Sequence, residues 1–250
     1  MPIDSVLIVG ATSAIAHETA RALVGRTSHF VLAARNAEHL AVVAADLRNR
    51  GAKTVHTLHY DAESHVQRDL LAEAADSIGT LPDAVLIAHG VLPRHEEVVH
   101  DSNAARSVLQ INTVSVLALC TDVSRHFEQR GSGLLAVISS VAADRGRMQN
   151  YLYSASKAAL DVYLDGLRLR WKTLSPALRV LTIKPGYVRT PMTAHLEHMI
   201  LPASPDSVGR RIARAMLRRK GGRMYVPWWW ALVAAVLRRL PEPFMLLVRQ

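Results

Sequence analysis

Cysteine is nearly absent from this sequence, and that absence sets the first limits on the fold. Cys120 is the single cysteine in 250 residues, so no internal disulfide can staple the chain. It lies in an apolar run, 116–120, where a buried, inert thiol is expected rather than a nucleophile. The opening Met-Pro-Ile-Asp passes straight into Val6-Leu7-Ile8-Val9, without the basic region and long apolar stretch of a secretory signal. A cytoplasmic, reducing setting is therefore expected. Internal repeats, low-complexity linkers and breaks in composition are also missing, and no metal site is expected.

What is present is a regular alternation of segments. Hydrophobic residues make up 50% of the chain and charged residues 20%, the balance of a globular protein. The length suits one large core and is short for two domains. Apolar, β-branched runs at 5–9, 29–34, 54–60, 84–88, 134–139 and 179–183 read as strands. Several are apolar on both faces, as strands buried between two helical layers must be. Between them, stretches such as 37–49 and 153–174 carry helical spacing and good helix formers. The repeated order of strand and helix implies an α/β fold, a doubly wound parallel sheet of the Rossmann type with right-handed crossovers. Ligands then belong at the carboxyl ends of the strands. Residues 1–226 would form this single domain, and 227–250 a C-terminal amphipathic tail rich in tryptophan and arginine.

The net charge of +9 comes mostly from arginine, and Arg210, Arg211, Arg214, Arg218, Arg219, Lys220 and Arg223 crowd one stretch. Such a patch suits an anionic partner: nucleic acid, anionic lipid or a phosphorylated substrate. It is local, lies beside tryptophans with aliphatic neighbours and matches no recognition motif, so nucleic acid is not the expected partner. Ser204-Pro205-Asp206 reads as an N-cap and first turn opening a helix to about residue 220, with Val208, Ile212 and Met216 on one face.

The first strand runs into Gly10-Ala11-Thr12-Ser13-Ala14-Ile15-Ala16 and then a helix. A glycine there permits a tight turn and a close approach to a pyrophosphate, and the helix N-terminus offers N–H groups. Gly10, Thr12, Ser13, Ala14 and Ile15 are the candidate phosphate contacts. Ala14 and Ala16 stand where two further glycines are usual, and alanine disfavours positive φ. The second strand ends in Ala33-Ala34-Arg35 with no acid to accept from ribose hydroxyls, so Arg35 points to a 2′-phosphate and to NADP(H). Asp61, at the tip of the third strand, is a candidate adenine contact.

Tyr153 and Lys157, four apart in a helical segment, share a face. A tyrosine with its usual pKa near 10 is a poor acid–base group, and a neighbouring ammonium would stabilise its phenolate. Thirteen residues upstream of Tyr153, an apolar strand ends in Ser139-Ser140; further back, Asn112 sits inside a helix, where asparagine is unfavourable. Downstream comes Pro185-Gly186-Tyr187-Val188-Arg189-Thr190. This order of turn, Asn, Ser, Tyr-x-x-x-Lys and Pro-Gly resembles the short-chain dehydrogenase/reductase family over essentially the whole chain.

The resemblance implies that Tyr153 is the proton donor and that Ser140 orients the carbonyl. Lys157 would hold the nicotinamide ribose and depress the tyrosine pKa, and Asn112 would support a water-linked proton relay. Pro185, Gly186, Val188 and Thr190 would lie at the nicotinamide end. Ala88, His89 and Gly90, in Ile87-Ala88-His89-Gly90, replace the usual Asn-Asn-Ala-Gly and would contact the cofactor; a structural role for His89 is the competing reading. A homo-oligomer paired through the helices carrying Asn112 and Tyr153 is also implied.

The substrate must be read from the variable parts. The run 191–201 is an apolar lid with some polar groups, and 226–237 is apolar and tryptophan-rich, followed by Arg238-Arg239 and Phe244-Met245-Leu246-Leu247-Val248. That tail is too short and too broken to span a bilayer, which takes about 20 residues, but it suits the membrane interface or a subunit contact. The run 185–196, the altered glycine loop and the tail are similar to one branch of the family, the reductases of decaprenylphosphoryl 2-keto-ribose in arabinose-donor biosynthesis for the cell wall. That likeness implies reduction of a lipid-linked keto sugar at the inner face of the plasma membrane, with a separate flavin oxidase as partner. Competing readings are a reductase of a 3-ketoacyl lipid, a ketosphinganine-like base or a steroid-like alcohol, and a non-catalytic, cofactor-sensing membrane or scaffold protein.

Overall fold

The computed structural model describes residues 3–64 and 68–246; Leu247 and Val248 of the apolar tail lie outside them. Seven strands form one parallel sheet: β1 (Ser5–Val9), β2 (His29–Ala34), β3 (Thr54–His59), β4 (Ala84–Ile87), β5 (Gly133–Ile138), β6 (Leu178–Pro185) and β7 (Gly222–Val226). Their order is β3-β2-β1-β4-β5-β6-β7, so the order in which strands are added reverses between β1 and β4, the position at which doubly wound sheets open a ligand crevice. The alternating side chains of each strand serve two cores. Val6 and Ile8 pack under α1 (Ala14–Leu23), α2 (Ala37–Asn49) and α8 (Pro205–Leu217). Leu7 and Val9 pack under α3 (Leu70–Ile78), α6 (Ser115–Arg130) and α7 (Tyr151–Leu174). Burial on both faces explains why the strands read as unbroken apolar runs.

Local chemistry sets the helix starts. The Asn36 carboxamide accepts from His39 N at 2.8 Å to cap α2, and Ser204 Oγ accepts from Ser207 N at 3.2 Å to cap α8, with Pro205 in the first turn. Val208, Ile212 and Met216 of α8 are fully buried, and a Cβ at Gly209 would lie 2.6 Å from Glu18 C, so this glycine lets α8 rest on the backbone of α1. Short helices α4 (His95–Val98) and α5 (Ser102–Leu109) lead into a π-helical turn, Gln110–Val114, and on into α6. Among the described residues only this run, 102–130, is long and apolar enough to cross a membrane, and 56% of its apolar window is buried inside the protein. Two last helices, α9 (Trp230–Arg239) and α10 (Glu242–Met245), close the chain.

Part of the basic patch is spent internally. Arg210 pairs with Asp206 of its own helix, Arg223 with Asp165, and Arg219 donates to Ala177 O at 3.4 Å. Cys120 is buried, and burial pushes its thiol pKa up, the inert state expected of it.

Candidate active site

One cavity of about 820 Å³ runs along the carboxyl edge of the sheet, a size typical of small-molecule sites. At one end lie Gly10, Thr12, Ser13, Ala14, Ile15, Arg35 and Asp61; at the other lie Ser140, Tyr153, Lys157, Pro185, Gly186, Val188 and Thr190. Ala88, His89 and Gly90 line the stretch between them.

The turn after β1 is built for close approach. Gly10 has φ +80°, and a Cβ there would sit 2.5 Å from His89 N, so no other residue fits without moving the neighbouring backbone. Gly10 is the only residue of that turn with positive φ. Ala14 already belongs to α1 and Ala16 is fully buried in it, so the two alanines occupy ordinary helical positions. The turn has positive φ at one position only. The free N–H groups of the first turn of α1 face the cavity with a positive dipole end. Arg35 is largely exposed, with Nη1 3.8 Å from Glu63 Oε2. An exposed pair of that length is weak, which leaves the guanidinium available to a stronger anion.

His89 gives the middle of the cavity its polarity. Its Nε2 lies 2.9 Å from Ser115 Oγ, and because that hydroxyl donates to Ile111 O at 2.8 Å, it accepts from the imidazole. Nδ1 is then a bare acceptor, buried and without a hydrogen-bond partner. Burial, with the Lys157 charge, lowers the His89 pKa to about 3, so the ring is neutral. A buried acceptor of this kind calls for a donor such as a ribose hydroxyl.

Asn112 is fully buried in the π-helical turn, whose wider loop is a common functional-site distortion. Its Oδ1 accepts from Val91 N at 2.8 Å and its Nδ2 donates to Val91 O at 2.9 Å and Ser156 Oγ at 3.2 Å. The amide therefore clamps the loop after β4. A Cβ at Gly90 would lie 3.0 Å from Asn112 Oδ1 and 3.3 Å from Lys157 Nζ, so the two groups converge on the glycine.

Lys157 is buried, donates to Ile138 O at 3.3 Å, and stands 5.9 Å from the centre of the Tyr153 ring. Burial pushes its pKa down to about 8, against the pull of Asp161. The Tyr153 pKa is raised: burial outweighs the hydrogen-bonding Ser140 hydroxyl and the charge of Arg147, both of which lower it. The lysine was expected to depress the tyrosine; here the cation acting on the phenol is Arg147, and burial wins. Ser140 Oγ also accepts from Ala142 N at 3.1 Å, which fixes its direction. Ser139 points the other way, and Tyr151 is exposed, packed edge-on against His95.

Beneath these groups sits an ion cluster that sequence reasoning missed. Ser139 Oγ donates to Asp161 Oδ1 at 2.6 Å, and the fully buried Lys184 ammonium bonds Asp161 and lies 3.0 Å from Asp144 Oδ1. Burial works against the Lys184 charge, yet Asp161 and Asp144 hold its pKa above the ordinary value. Asp144 also meets Tyr225 Oη and Arg238 Nη1, each at 3.2 Å. The cluster joins the strand tip before Ser140, the helix of Tyr153 and Lys157, the residue before Pro185, and helix α9. Behind Gly186 stands the buried Trp230 indole, so close that any Cβ at 186 would collide with it.

A doubly wound sheet with a cofactor-shaped cavity and a Tyr–Lys pair at its far end defines a dinucleotide-dependent oxidoreductase architecture. The short chain dehydrogenase family profile matches residues 4–200. An uncharacterized oxidoreductase of Mycobacterium tuberculosis is 35% identical over 238 residues, covering 95% of this chain and 94% of the relative. One of Streptomyces coelicolor is 32% identical, covering 97% and 94%. The actinorhodin polyketide ketoreductase solved with NADPH superposes with TM-score 0.78 at 20% identity, covering 95% and 98%. A gluconate 5-dehydrogenase from Burkholderia cenocepacia, solved with NADP and tartrate, gives 0.80 at 19%, covering 93% and 96%. The chain belongs to the short-chain dehydrogenase/reductase family of oxidoreductases.

Proposed function

We propose that the protein is an NADP(H)-dependent carbonyl reductase with Tyr153 as its proton donor. The observation that carries this is the single cavity that joins the Gly10–Arg35 cradle to the Ser140–Tyr153–Lys157 group. Gly10, the α1 N-terminus from Thr12 to Ile15, and Arg35 would hold the pyrophosphate and 2′-phosphate. Asp61 would meet the adenine, and Ala88, His89 and Gly90 the riboses. Lys157 would hold the nicotinamide ribose, with Pro185, Gly186, Val188 and Thr190 at the nicotinamide. NADPH held by these residues would supply the hydride that the carbonyl carbon accepts. Tyr153 Oη gives its proton to the carbonyl oxygen, which Ser140 Oγ orients. Burial keeps the phenol protonated, and a developing alkoxide is basic enough to take the proton. Asn112, facing Lys157 across Gly90, would return the proton through a water relay.

As substrate we put forward a lipid-linked keto sugar, a 2-keto pentose on a polyprenyl phosphate. A flavin oxidase would supply the ketone, and the enzyme would lie on the inner face of the plasma membrane. Supporting this are the run 185–196 and the exposed apolar residues of the C-terminal tail, Trp228, Leu232, Val236, Phe244 and Leu246. The test is NADPH oxidation by purified protein in detergent with a panel of ketones. Oxidation driven by the polyprenylphosphoryl 2-keto pentose is the expected result. Turnover confined to a 3-ketoacyl lipid, a ketosphinganine or a steroid ketone would overturn the sugar reading, and NADPH binding with no turnover on any ketone would favour a non-catalytic role. A 17-beta-hydroxysteroid dehydrogenase type 3 of rat, 29% identical over 76% of this chain and 61% of the relative, makes the steroid arm a necessary control.

A further inference from the structure

The cavity wall holds a cation with almost nothing to bind. Arg147 lies in the loop between β5 and α7, seven residues after Ser140 and six before Tyr153, and lines the cavity half-buried. Its guanidinium makes one side-chain hydrogen bond, to Tyr187 Oη at a long 3.4 Å. Among the described residues no carboxylate comes within ion-pair distance of it. Arg21 is tied to Asp46 and Glu18 and Arg168 to Asp165 and Thr182, whereas Arg145 and Arg219 each make one 3.4 Å bond to a backbone oxygen but do not line the cavity, as Arg147 does. A guanidinium has five donors in a rigid fork, so leaving most of them unused on a partly dry wall costs free energy that a bound oxyanion would recover.

Arg147 is not placed to read the cofactor's 2′-phosphate. That role falls to Arg35 just after β2, three strand spacings from β5, or about 14 Å at the usual 4.8 Å separation. The cavity lining also includes Arg94, His95 and His195 together with Glu96 and Glu197, of which Arg94 and both acids are exposed. The partner of Arg147 also starts an aromatic row. Tyr187 meets Trp230 edge-on at 5.7 Å, Trp230 stacks on Trp229 at 4.7 Å, and Trp228 beside them is 66% exposed. Tyr187 itself lines the cavity, so an anion at Arg147 would have the start of this aromatic row beside it.

We propose that Arg147 is a specificity-determining residue that receives a phosphoester oxyanion of the ketone substrate, next to Tyr153, with the substrate's apolar chain directed toward the aromatic row. This deepens, and rests on, the carbonyl-reductase reading.

The test uses the full chain saturated with NADP+, so that the cofactor phosphate sites are filled. Binding of decyl phosphate and of decanol, both below micelle-forming concentration, is followed by tryptophan fluorescence. The phosphate ester should bind at least tenfold more tightly than the alcohol. Arg147→Gln should reduce that preference to within threefold, Arg147→Lys should keep most of it, and Tyr153→Phe should leave it intact. Equal binding of the two probes by the unaltered protein, or a preference that survives Arg147→Gln, would overturn the proposal. The first of these comparisons needs no variant to fold. A tenfold preference together with no turnover on any ketone strikes the reductase reading alone, whereas ketone turnover without the preference strikes Arg147 alone.

Discussion

At the scale of single residues, the site turns on which buried groups keep their charge. Tyr153 is held protonated by burial, and its pKa lies above the ordinary value of 10.0, while that of Lys157 is pushed down to about 8. The lysine is therefore the group that titrates near neutrality. The rate of ketone reduction should fall as pH rises through about 8, because the ammonium is lost while the phenol still holds its proton. A rate profile flat from pH 7 to 10 would contradict this. Lys157→Arg, charged throughout, should remove that limb from whatever activity survives. At the opposite end, Arg35→Asp should shift preference from NADPH toward NADH by at least tenfold, since a carboxylate repels the 2′-phosphate and accepts from a free ribose. An unchanged ratio of the two affinities would remove Arg35 from the cofactor site.

At the scale of elements, the catalytic pieces are locked together by charges that lie far apart in the chain. Lys184 sits between Asp161 of α7 and Asp144 of the turn after β5, with Arg238 of α9 on the outer side. Lys184→Met would leave two buried carboxylates with too little compensation, a change that costs about 3–5 kcal/mol. Urea unfolding should show that loss as a lower midpoint with an unchanged slope; a midpoint within error of the parent would mean that the cluster is solvated. Nothing in the sequence revealed this cluster, because residues 144, 161, 184 and 238 come together only once four elements have docked. The strands themselves were legible, since burial on both faces leaves an apolar run, and six of them begin or end within two residues of the expected bounds. The ends missed were set by pairing: β6 continues to Pro185 because it runs beside β7 to Val226. Helix α7 begins at Tyr151, two residues before its Tyr–Lys pair. Asn112 was legible as an oddity in a helix; that the helix widens into a π turn there was not. The turn at Gly10 showed the opposite relation, since the two alanines that depart from the glycine pattern fall inside α1, where no positive φ is required.

At the scale of the whole molecule, the open question is what covers the outer side of α9. Its inner side, Trp230 and Ala234, is buried against the sheet edge, and its outer side presents Leu232 and Val236 to solvent, with Trp228 exposed in the turn before it. Leu232 and Val236 are four apart, the spacing of one helical face. Deleting the tail would remove Trp230 from behind Gly186, so exchanging Trp228, Leu232, Val236 and Phe244 together for serine is the cleaner test. The parent should sediment with anionic lipid vesicles and the variant should stay in the supernatant. Equal sedimentation, or a variant that differs only in oligomeric mass, would assign this face to a second copy of the chain.

The central claim is that Tyr153 gives a proton to a ketone oxygen at the end of an NADP(H) cavity. The most direct measurement is turnover and NADPH affinity of Tyr153→Phe beside the parent. Loss of at least a thousandfold in turnover, with NADPH binding within a few-fold, is the expected result. A phenylalanine variant that turns over at the parental rate would contradict the claim and leave the cavity without its acid.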